Sequence, residues 1–524
     1  MNHIISPLDL MYKLYSKTSK NDKIAFLSGF FMCLITNVFL YTNTLFLHDS
    51  IQFFNPNTGV SNGRFSIGIL SCLLNNQLNI PWVIGLISCI CIGFINLMIC
   101  KIMHIKSPIF ICISAGIITT STTLILTNMY FSSVHLYLIS CLSSLIAAYV
   151  LNKKHGILYS VLLLIFSCSI YQAYLATAFA FMMGMLLIKI FEENTTKKEI
   201  VKQFFKIVFT IGCSAILYYS LWKLILFITD TQLVDYYAYS NLNLKNLTPI
   251  VIYERLLTSF VLGLRTIACV NVKKSLFITI ISSAIFIACI LFFIIYGKKK
   301  HHLIFTIFSL FSIIISVHMM YVISGTITHQ LTTFAQVIIP IFVLYFIQNI
   351  KKENLKNISQ YAVSLCLVLL VFVQFVQANA MYTKISLNFD NTYSYATRLL
   401  DRIEQTDGFD VDTTKIVIVS GDKVTPIYRT NEGIDKHLKG DGIFNDFKQS
   451  TVVTYPMTLK WFLQDEMNIG NEIMMGGQDY IDRMENNKPF PSKDSIVYDS
   501  ANDEIIVKVS DTTSTLISRV YWGQ

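Results

Sequence analysis

The stretch GILYSVLLLIFSCSIYQAYLATAFAFMMGMLLIKIF, residues 156–191, decides how often the chain crosses a membrane. It is too long for one straight span, because a bilayer is crossed by about 20 apolar residues in a helix. It forms either one overlong helix or two short helices that turn at Ser169-Ile170-Tyr171-Gln172. The side of the membrane assigned to every later loop depends on this choice.

The lysine clusters distinguish the two interpretations, since short loops rich in Lys and Arg lie on the cytoplasmic side. With a turn at 169–172, all the clusters fall on one side, whereas one long helix would move the clusters that follow it to the other side. We therefore predict a hairpin, a cytoplasmic N-terminus over 1–23 and a C-terminus outside. The clusters are Lys13/Lys17/Lys20/Lys23, Lys101/Lys106, Lys153/Lys154, Lys197/Lys198/Lys202/Lys206, Lys298/Lys299/Lys300 and Lys351/Lys352/Lys356.

The composition agrees with many spans. Hydrophobic residues make up 53% of the 524 residues and charged residues 14%, whereas a soluble domain has roughly 25% charged residues. We predict an all-α polytopic membrane protein with about 11 transmembrane helices in a domain over 24–380. The predicted helices are 24–47, 81–100, 109–128, 133–151, 156–170, 173–191, 207–228, 275–297, 303–324, 332–349 and 359–379.

The chain changes character after residue 380. Up to that point it carries 26 Lys and Arg against 10 Asp and Glu, and the remaining 144 residues carry 15 against 22. The acidic segment 381–524 predicts a small soluble α/β domain on the outer face, with a helix at Tyr393–Gln405, a strand at Lys415–Ser420 and a hairpin at Ser495–Val509. The net charge of +9 comes from cytoplasmic lysines and does not indicate nucleic-acid binding.

Two outer loops, 48–80 and 229–274, are long enough to hold a site. The apolar middle of the first, Phe65–Leu78, predicts a helix lying in the membrane interface. The second predicts an amphipathic helix that begins at Pro249 after Thr248 as N-cap and ends at about residue 268. The five basic residues of this loop break the charge rule, and an anionic ligand would explain them.

Acids near the outer surface are the candidates for proton transfer. The membrane portion has only ten acids, and four of them fall outside: Asp49, Asp230, Asp235 and Glu254. No acid lies at a helix centre, which disfavours an ion-coupled transporter. Asp49 directly follows the first span and can reach both water and a lipid headgroup, although it could equally just end that helix at the interface.

Arg64 is the only basic residue of the first outer loop, and it follows Gly63, which lets the chain turn close to a ligand. Its guanidinium can hold a phosphate through its fork of donors, or it can simply extend to the headgroups. Gln172, in the hairpin turn, either satisfies backbone groups or binds sugar hydroxyls. His329 either caps the tenth span or faces a ligand.

Taken in order, these residues resemble the Gtr-type O-antigen glucosyltransferases, serotype-converting membrane enzymes of the GT-C class. The points of similarity are His48-Asp49-Ser50 after the first span, Gly63-Arg64 followed by an aromatic residue, and the Tyr171-Gln172 turn. A fourth is Gln377-Ala378-Asn379-Ala380, which runs into a helix over 396–404. Many relatives carry a pair of acids in the first loop, whereas here His48 takes one place, and this disfavours a two-carboxylate metal site.

The resemblance implies a polyprenyl-phosphate sugar donor, undecaprenyl-phosphate glucose, and a lipid-linked O-antigen acceptor at the periplasmic face of the bacterial inner membrane. Single displacement then needs a base for the acceptor hydroxyl, while the lipid phosphate leaves without a general acid. We expect Asp49 to be that base. We expect no cofactor, and a divalent cation is not favoured.

The remaining candidate residues follow from the same resemblance. Arg64 and one of Arg255, Arg265, Lys273 or Lys274 are expected to bind the donor phosphate. Membrane lipid is a further expected partner. Two alternatives remain open: a GT-C transferase of another sugar or acceptor, and a lipid or sugar flippase without chemistry. The residues expected to contact sugar are His48, Tyr171, Gln172, Asp235, Glu254 and His329.

Overall fold

The structure is a computed structural model. It describes residues 18–43, 59–75, 78–192, 195–232, 248–267, 276–299, 302–326, 329–350, 353–421 and 456–511, with single residues 6, 16, 45, 424 and 434.

Helices build the described chain up to residue 404. A helix or a broken helix occupies each stretch that the sequence predicts as a span. In chain order the helices are α1 (Lys20–Thr42), α2 (Ile67–Asn75), α3 (Pro81–Ile102), α4 (Pro108–Thr119), α5 (Thr122–Met129), α6 (Val134–Val150), α7 (Gly156–Ile170), α8 (Tyr174–Ile190), α9 (Lys197–Ile228), α10 (Pro249–Ile267), α11 (Leu276–Lys299), α12 (Leu303–Val317), α13 (Met319–Ser324), α14 (Ile338–Gln348) and α15 (Glu353–Glu404).

Among the described residues, five helices are long and apolar enough to cross a membrane, and the bent pair α4–α5 makes a sixth. The five include α1, α3, α9 and α15, and the fifth runs over Phe131–Val150. Helices such as α7, α8 and α12 are apolar but shorter. The mostly helical membrane architecture is thus confirmed, while the count of about 11 spans stays a prediction.

Local sequence signals explain several helix starts. Ser19 and Asp22 form a reciprocal capping box at α1, with Ser19 Oγ accepting from the Asp22 amide at 3.1 Å. At α10, Thr248 Oγ1 accepts from the Val251 amide at 3.3 Å, and Pro249 occupies the first turn. The predicted start of the amphipathic helix is therefore confirmed.

The third predicted span is broken rather than continuous. Helices α4 and α5 meet at an angle of 50°. The break falls in a run of five hydroxyl residues, 119–123, whose side chains compete for backbone groups. Thr120 Oγ1 donates back to the Gly116 carbonyl at 2.9 Å, and Ser121 Oγ accepts from the Leu124 amide at 3.3 Å as the cap of α5.

The last span and the first helix of the C-terminal segment form one helix. Helix α15 has 52 residues and a length of roughly 80 Å. No Gly or Pro occurs between 353 and 404, so nothing in the sequence ends the helix at the bilayer surface. The predicted boundary at residue 380 lies inside this helix and stays a prediction.

The C-terminal segment contains a four-stranded sheet in the order β2-β1-β4-β3. Strand β1 (Lys415–Val419) pairs in parallel with β2 (Ile473–Met475) and with β4 (Glu504–Lys508), and β3 (Ile496–Asp499) is antiparallel to β4. The predicted strand and the predicted hairpin are both present. The short helices α16 (Pro456–Trp461) and α17 (Gln478–Arg483) flank β2.

Aromatic packing connects the sheet region to the far end of α15. Phe462 is fully buried, and its ring lies 5.9 Å from Phe389 and 6.3 Å from Tyr393 of α15. Tyr395 contacts Phe490 edge-on at 5.3 Å. The C-terminal end of α15 is therefore part of this core.

A carboxylate next to this core gives a stability prediction. Burial and, secondarily, neighbouring Asp465 raise the pKa of Glu466. Because the pKa of Glu466 is higher in the folded than in the unfolded state, the protonated side chain favours folding at low pH. This contribution is lost as the pH rises through the folded-state pKa. We expect Glu466→Gln to raise the melting temperature by less than about 2 °C at neutral pH, with the gain disappearing near pH 4. Exposed Glu485→Gln is the control, and an equal gain at both pH values would contradict the assignment.

Candidate functional site

Arg64 lies in a tight loop, Gly59–Phe65, called here the Arg64 loop. Gly59 and Gly63 have φ of 97° and 85°, a region that residues with a Cβ rarely adopt. A single 3₁₀ turn, Val60–Asn62, lies between them, and the Arg64 amide donates to the Gly59 carbonyl at 2.7 Å. The two glycines thus let the chain reverse and present Arg64 from a compact turn.

Side chains from other elements hold three carbonyl groups of this loop. Gln172 Nε2 donates to the Asn62 carbonyl at 2.8 Å, Tyr218 OH to that of Gly63 at 3.0 Å, and Trp222 Nε1 to that of Val60 at 2.8 Å. Gln172 lies in the turn between α7 and α8, and the other two lie on α9. Gln172 therefore satisfies a backbone group, which is one of its two predicted roles. The predicted contact of Gln172 with sugar stays a prediction.

The Arg64 side chain lies against two tyrosines. Its guanidinium carbon is 4.9 Å from the centre of the Tyr171 ring, and Nη1 donates to Tyr137 OH at 3.3 Å. The Tyr137 and Tyr171 rings stack at 4.6 Å. The face of the Tyr171 ring attracts the cation. Both tyrosines are buried, and Arg64 is partly exposed. Tyr171 therefore orients Arg64, and its expected sugar contact stays a prediction.

Further aromatic rings adjoin the Tyr137–Tyr171 pair. Tyr174 contacts Tyr171 at 5.6 Å and Phe334 at 6.1 Å. His329 Nδ1 accepts from the Leu331 amide at 3.2 Å, which caps the short turn Gln330–Thr332. The capping interpretation of His329 fits this contact. Arg64, Tyr171 and Gln172 thus lie together, whereas the ring of His329 lies against Tyr130, at 6.3 Å.

Arg255 is engaged with the neighbouring broken helix. Nη1 donates to the carbonyls of Val322 and Ile323 at 3.3 and 3.0 Å, near the end of α13. Ser259, one turn further along α10, donates to the Ile315 and His318 carbonyls at 3.1 and 3.0 Å. The carbonyls of Ile315 and His318 lie at the α12–α13 break, where the regular helix hydrogen bonds stop. One face of α10 therefore satisfies the backbone of the break.

Arg255→Leu gives a stability prediction from this geometry. We expect it to destabilise the fold by about 1–3 kcal/mol, because two backbone acceptors lose a charged donor. Thermal unfolding of the purified variant in detergent measures this loss. Arg265→Leu is the matched control, since Arg265 is exposed on the same helix. Equal melting temperatures for the two variants would contradict the structural role of Arg255.

The two arginines of α10 lie on different sides of the helix, as their spacing of ten residues predicts at about 100° per residue. Arg255 is partly buried against α13, whereas Arg265 and Glu254 are exposed. The structure does not bring either exposed residue into the described contacts of Arg64. Their proposed roles in binding phosphate and sugar stay predictions.

Five predicted site residues lie outside the described residues: His48, Asp49, Asp235, Lys273 and Lys274. The expectation of a metal-free site is likewise untested. Within the described ranges, no group of three or more His, Cys, Asp or Glu side chains could hold a metal ion.

Sequence reasoning missed the residues that hold Arg64 in place. Tyr137, Tyr218 and Trp222 lie inside apolar helices, where aromatic residues usually serve packing or the membrane interface. Tyr218 and Trp222 are four residues apart and so share a helix face. That spacing near the C-terminal end of α9 was the only available signal, and it does not indicate that these side chains contact the Arg64 loop.

Comparison with known proteins gives one match. The sequence profile of a family described as glucosyl transferase GtrII matches residues 32–334, more than half of the 524 residues. No curated protein and no solved structure matches the chain. The matched range contains the Arg64 loop, the Tyr171-Gln172 turn and α9.

Proposed function

The chain belongs to the glucosyl transferase GtrII family, and on that premise we propose that it moves glucose from undecaprenyl-phosphate glucose to lipid-linked O-antigen. Membership makes it a glycosyltransferase of O-antigen glucosylation, and its apolar helices make it a membrane protein. The family match is the observation that carries the proposal. The donor, the side of the membrane and the mechanism are argued from the residues.

The proposed reaction is a single displacement at the anomeric carbon. An acceptor hydroxyl oxygen attacks this carbon, and the bond between the carbon and the phosphate oxygen breaks. The phosphate leaves with the electron pair as undecaprenyl phosphate, and the hydroxyl proton passes to the Asp49 carboxylate. Direct attack from the opposite face inverts the anomeric configuration.

Arg64 supports this chemistry as the proposed phosphate ligand. Its fork of donors suits the oxygens of a phosphate, and cations placed at the leaving phosphate stabilise the charge that develops there. The Tyr171 ring and the Tyr137 hydroxyl restrict the orientation of this side chain. A preoriented guanidinium loses less conformational freedom when the donor binds.

The outer face is the proposed place of reaction. The Arg64 loop follows the first span, and the N-terminal lysines indicate that this span starts in the cytoplasm. Asp49 lies in the same outer loop of the sequence, before Gly59. The acidic C-terminal segment is proposed to lie in the periplasm, because the lysine clusters predict that the last span leads out of the cytoplasm and α15 continues from that span into this segment.

Transfer in a purified system tests the proposal. The protein in nanodiscs receives radiolabelled undecaprenyl-phosphate glucose and lipid-linked O-antigen, with and without EDTA. We expect label in the glycan, inverted anomeric configuration and no effect of EDTA. Activity with only another sugar or acceptor would favour the related transferase. Failure with a panel of polyprenyl-phosphate sugars, together with transport of an unreactive donor analogue, would favour the flippase.

A further inference from the structure

We propose that Tyr218, Trp222 and Gln172 are positioning residues that hold the Arg64 loop in the geometry needed to bind the donor phosphate. This inference rests on the proposed function, because it takes Arg64 as the phosphate ligand. It assigns a role in donor binding to α9, whose residues carry no predicted role in the reaction.

The Arg64 loop depends on side chains from elsewhere for its shape. It contains two glycines with positive φ, and such residues gain the most conformational freedom when a loop loosens. Three of its carbonyls accept bonds from Gln172, Tyr218 and Trp222. A buried carbonyl that loses its donor is costly, so these bonds favour one loop conformation.

Tyr218 is the central member of this set. Its hydroxyl accepts from Gln172 Nε2 at 2.8 Å and donates to the Gly63 carbonyl at 3.0 Å. Its ring stacks on Phe65 at 6.2 Å and on Trp222 at 6.4 Å. The backbone of Gly63 is therefore fixed by the hydroxyl, and the residue after Arg64 is fixed by the ring.

The fit around Gly63 is close. A Cβ at this position would lie 2.3 Å from Tyr218 OH and 2.7 Å from Gln172 Nε2. Position 63 therefore needs glycine for two reasons: its backbone has a φ of 85°, and neighbouring side chains leave no room for a Cβ. The same two side chains also donate to the carbonyls of Asn62 and Gly63, so a substitution at Gly63 would displace the groups that hold the loop.

The position of these side chains indicates an indirect role. Tyr218 and Trp222 are 9% and 7% exposed, and their polar atoms are directed at loop carbonyls. Gln172 follows Tyr171, the ring that lies under the Arg64 guanidinium. The turn that contains Tyr171 and Gln172 thus contacts both the Arg64 side chain and the backbone before it, and α9 holds the same backbone. A loss of these bonds would displace the cation without removing it.

Tyr218→Phe tests the inference, because it removes one hydroxyl and keeps the ring. We expect the KM for undecaprenyl-phosphate glucose to rise about tenfold, with the KM for the acceptor unchanged. Trp222→Phe removes the indole donor together with part of the ring and is expected to act in the same direction. The control is Tyr219→Phe on the next position of α9, whose ring contact with Trp222 survives the change; it should behave as the wild type.

A double-mutant cycle separates positioning from general stability. If Tyr218 acts through Arg64, Tyr218→Phe should have no further effect on residual transfer in an Arg64→Ala background. Additive effects, or an unchanged donor KM in Tyr218→Phe, would overturn the inference. An active protein in which Arg64→Ala retains normal transfer would also overturn it. Absence of transfer from the wild type with every donor marks failure of the proposed function itself and removes the basis of this inference.

Discussion

We expect Asp49→Asn to lower kcat for glucosyl transfer by about 10³-fold, the contribution typical of a positioned general base. An amide has nearly the size and shape of the carboxylate, but it cannot accept the proton of the acceptor hydroxyl. Binding of both substrates should change little, so the loss should appear in kcat rather than in KM. Single-turnover transfer from radiolabelled donor in nanodiscs measures it directly.

Another acid that is predicted to lie outside provides the matched control for Asp49. Asp230 is exposed two residues after α9 ends, and the proposed mechanism gives it no role. Asp230→Asn should transfer glucose at the wild-type rate, and both variants should melt at the wild-type temperature. Transfer by Asp49→Asn within about twofold of wild type would remove Asp49 as the base, since a base contributes far more than that.

Much of the helical architecture can be predicted from the sequence because its signals are local. Pro249 after Thr248 predicts the start of α10, and the lysine clusters predict a turn near residues 169–172. Helix α7 ends at Ile170 and α8 begins at Tyr174. Hydropathy and capping depend on residues close in the chain, so they require no knowledge of tertiary contacts.

The breaks in these helices could be anticipated less well. A run of apolar residues at 109–128 predicts one span, yet the hydroxyl groups of 119–123 interrupt it. Conversely, the change of composition after 380 predicts a domain boundary where α15 continues without interruption. Composition indicates whether a segment lies in lipid or in water. A helix, however, continues across such a change unless a residue or a contact ends it.

The candidate site shows the same limit. Motif order brings Arg64, Tyr171 and Gln172 into one hypothesis, and the structure places these three together. Tyr218 is 155 residues from Gly63 and 46 from Gln172, and no local pattern predicts contacts at such separations. The contacts of Ser259 with the α12–α13 break were missed for a related reason, because the break itself is not apparent from hydropathy.

Replacing Arg64 is expected to have the second largest effect. We expect Arg64→Ala to lower kcat/KM for the donor by about 10²–10³-fold, because a cation at the leaving phosphate stabilises charge that grows during bond cleavage. Arg64→Lys keeps the charge but loses the planar fork and the stacked contact with Tyr171. We therefore expect Lys to restore only part of the loss, with a residual deficit of about tenfold or more.

The comparison of Lys with Ala at this position separates two roles for the side chain. If Arg64 only extends to lipid headgroups, both variants should transfer glucose normally and only their membrane stability should differ. Arg398→Lys changes an exposed arginine of α15, controls for the replacement of arginine by lysine as such, and should match the wild type. We expect the donor kcat/KM to be lower for Arg64→Lys than for wild type and lower again for Arg64→Ala, while the melting temperature is unchanged. That result would show that the guanidinium binds the donor, because loss of folding or of lipid anchoring would not depend on how many phosphate hydrogen bonds the side chain can donate.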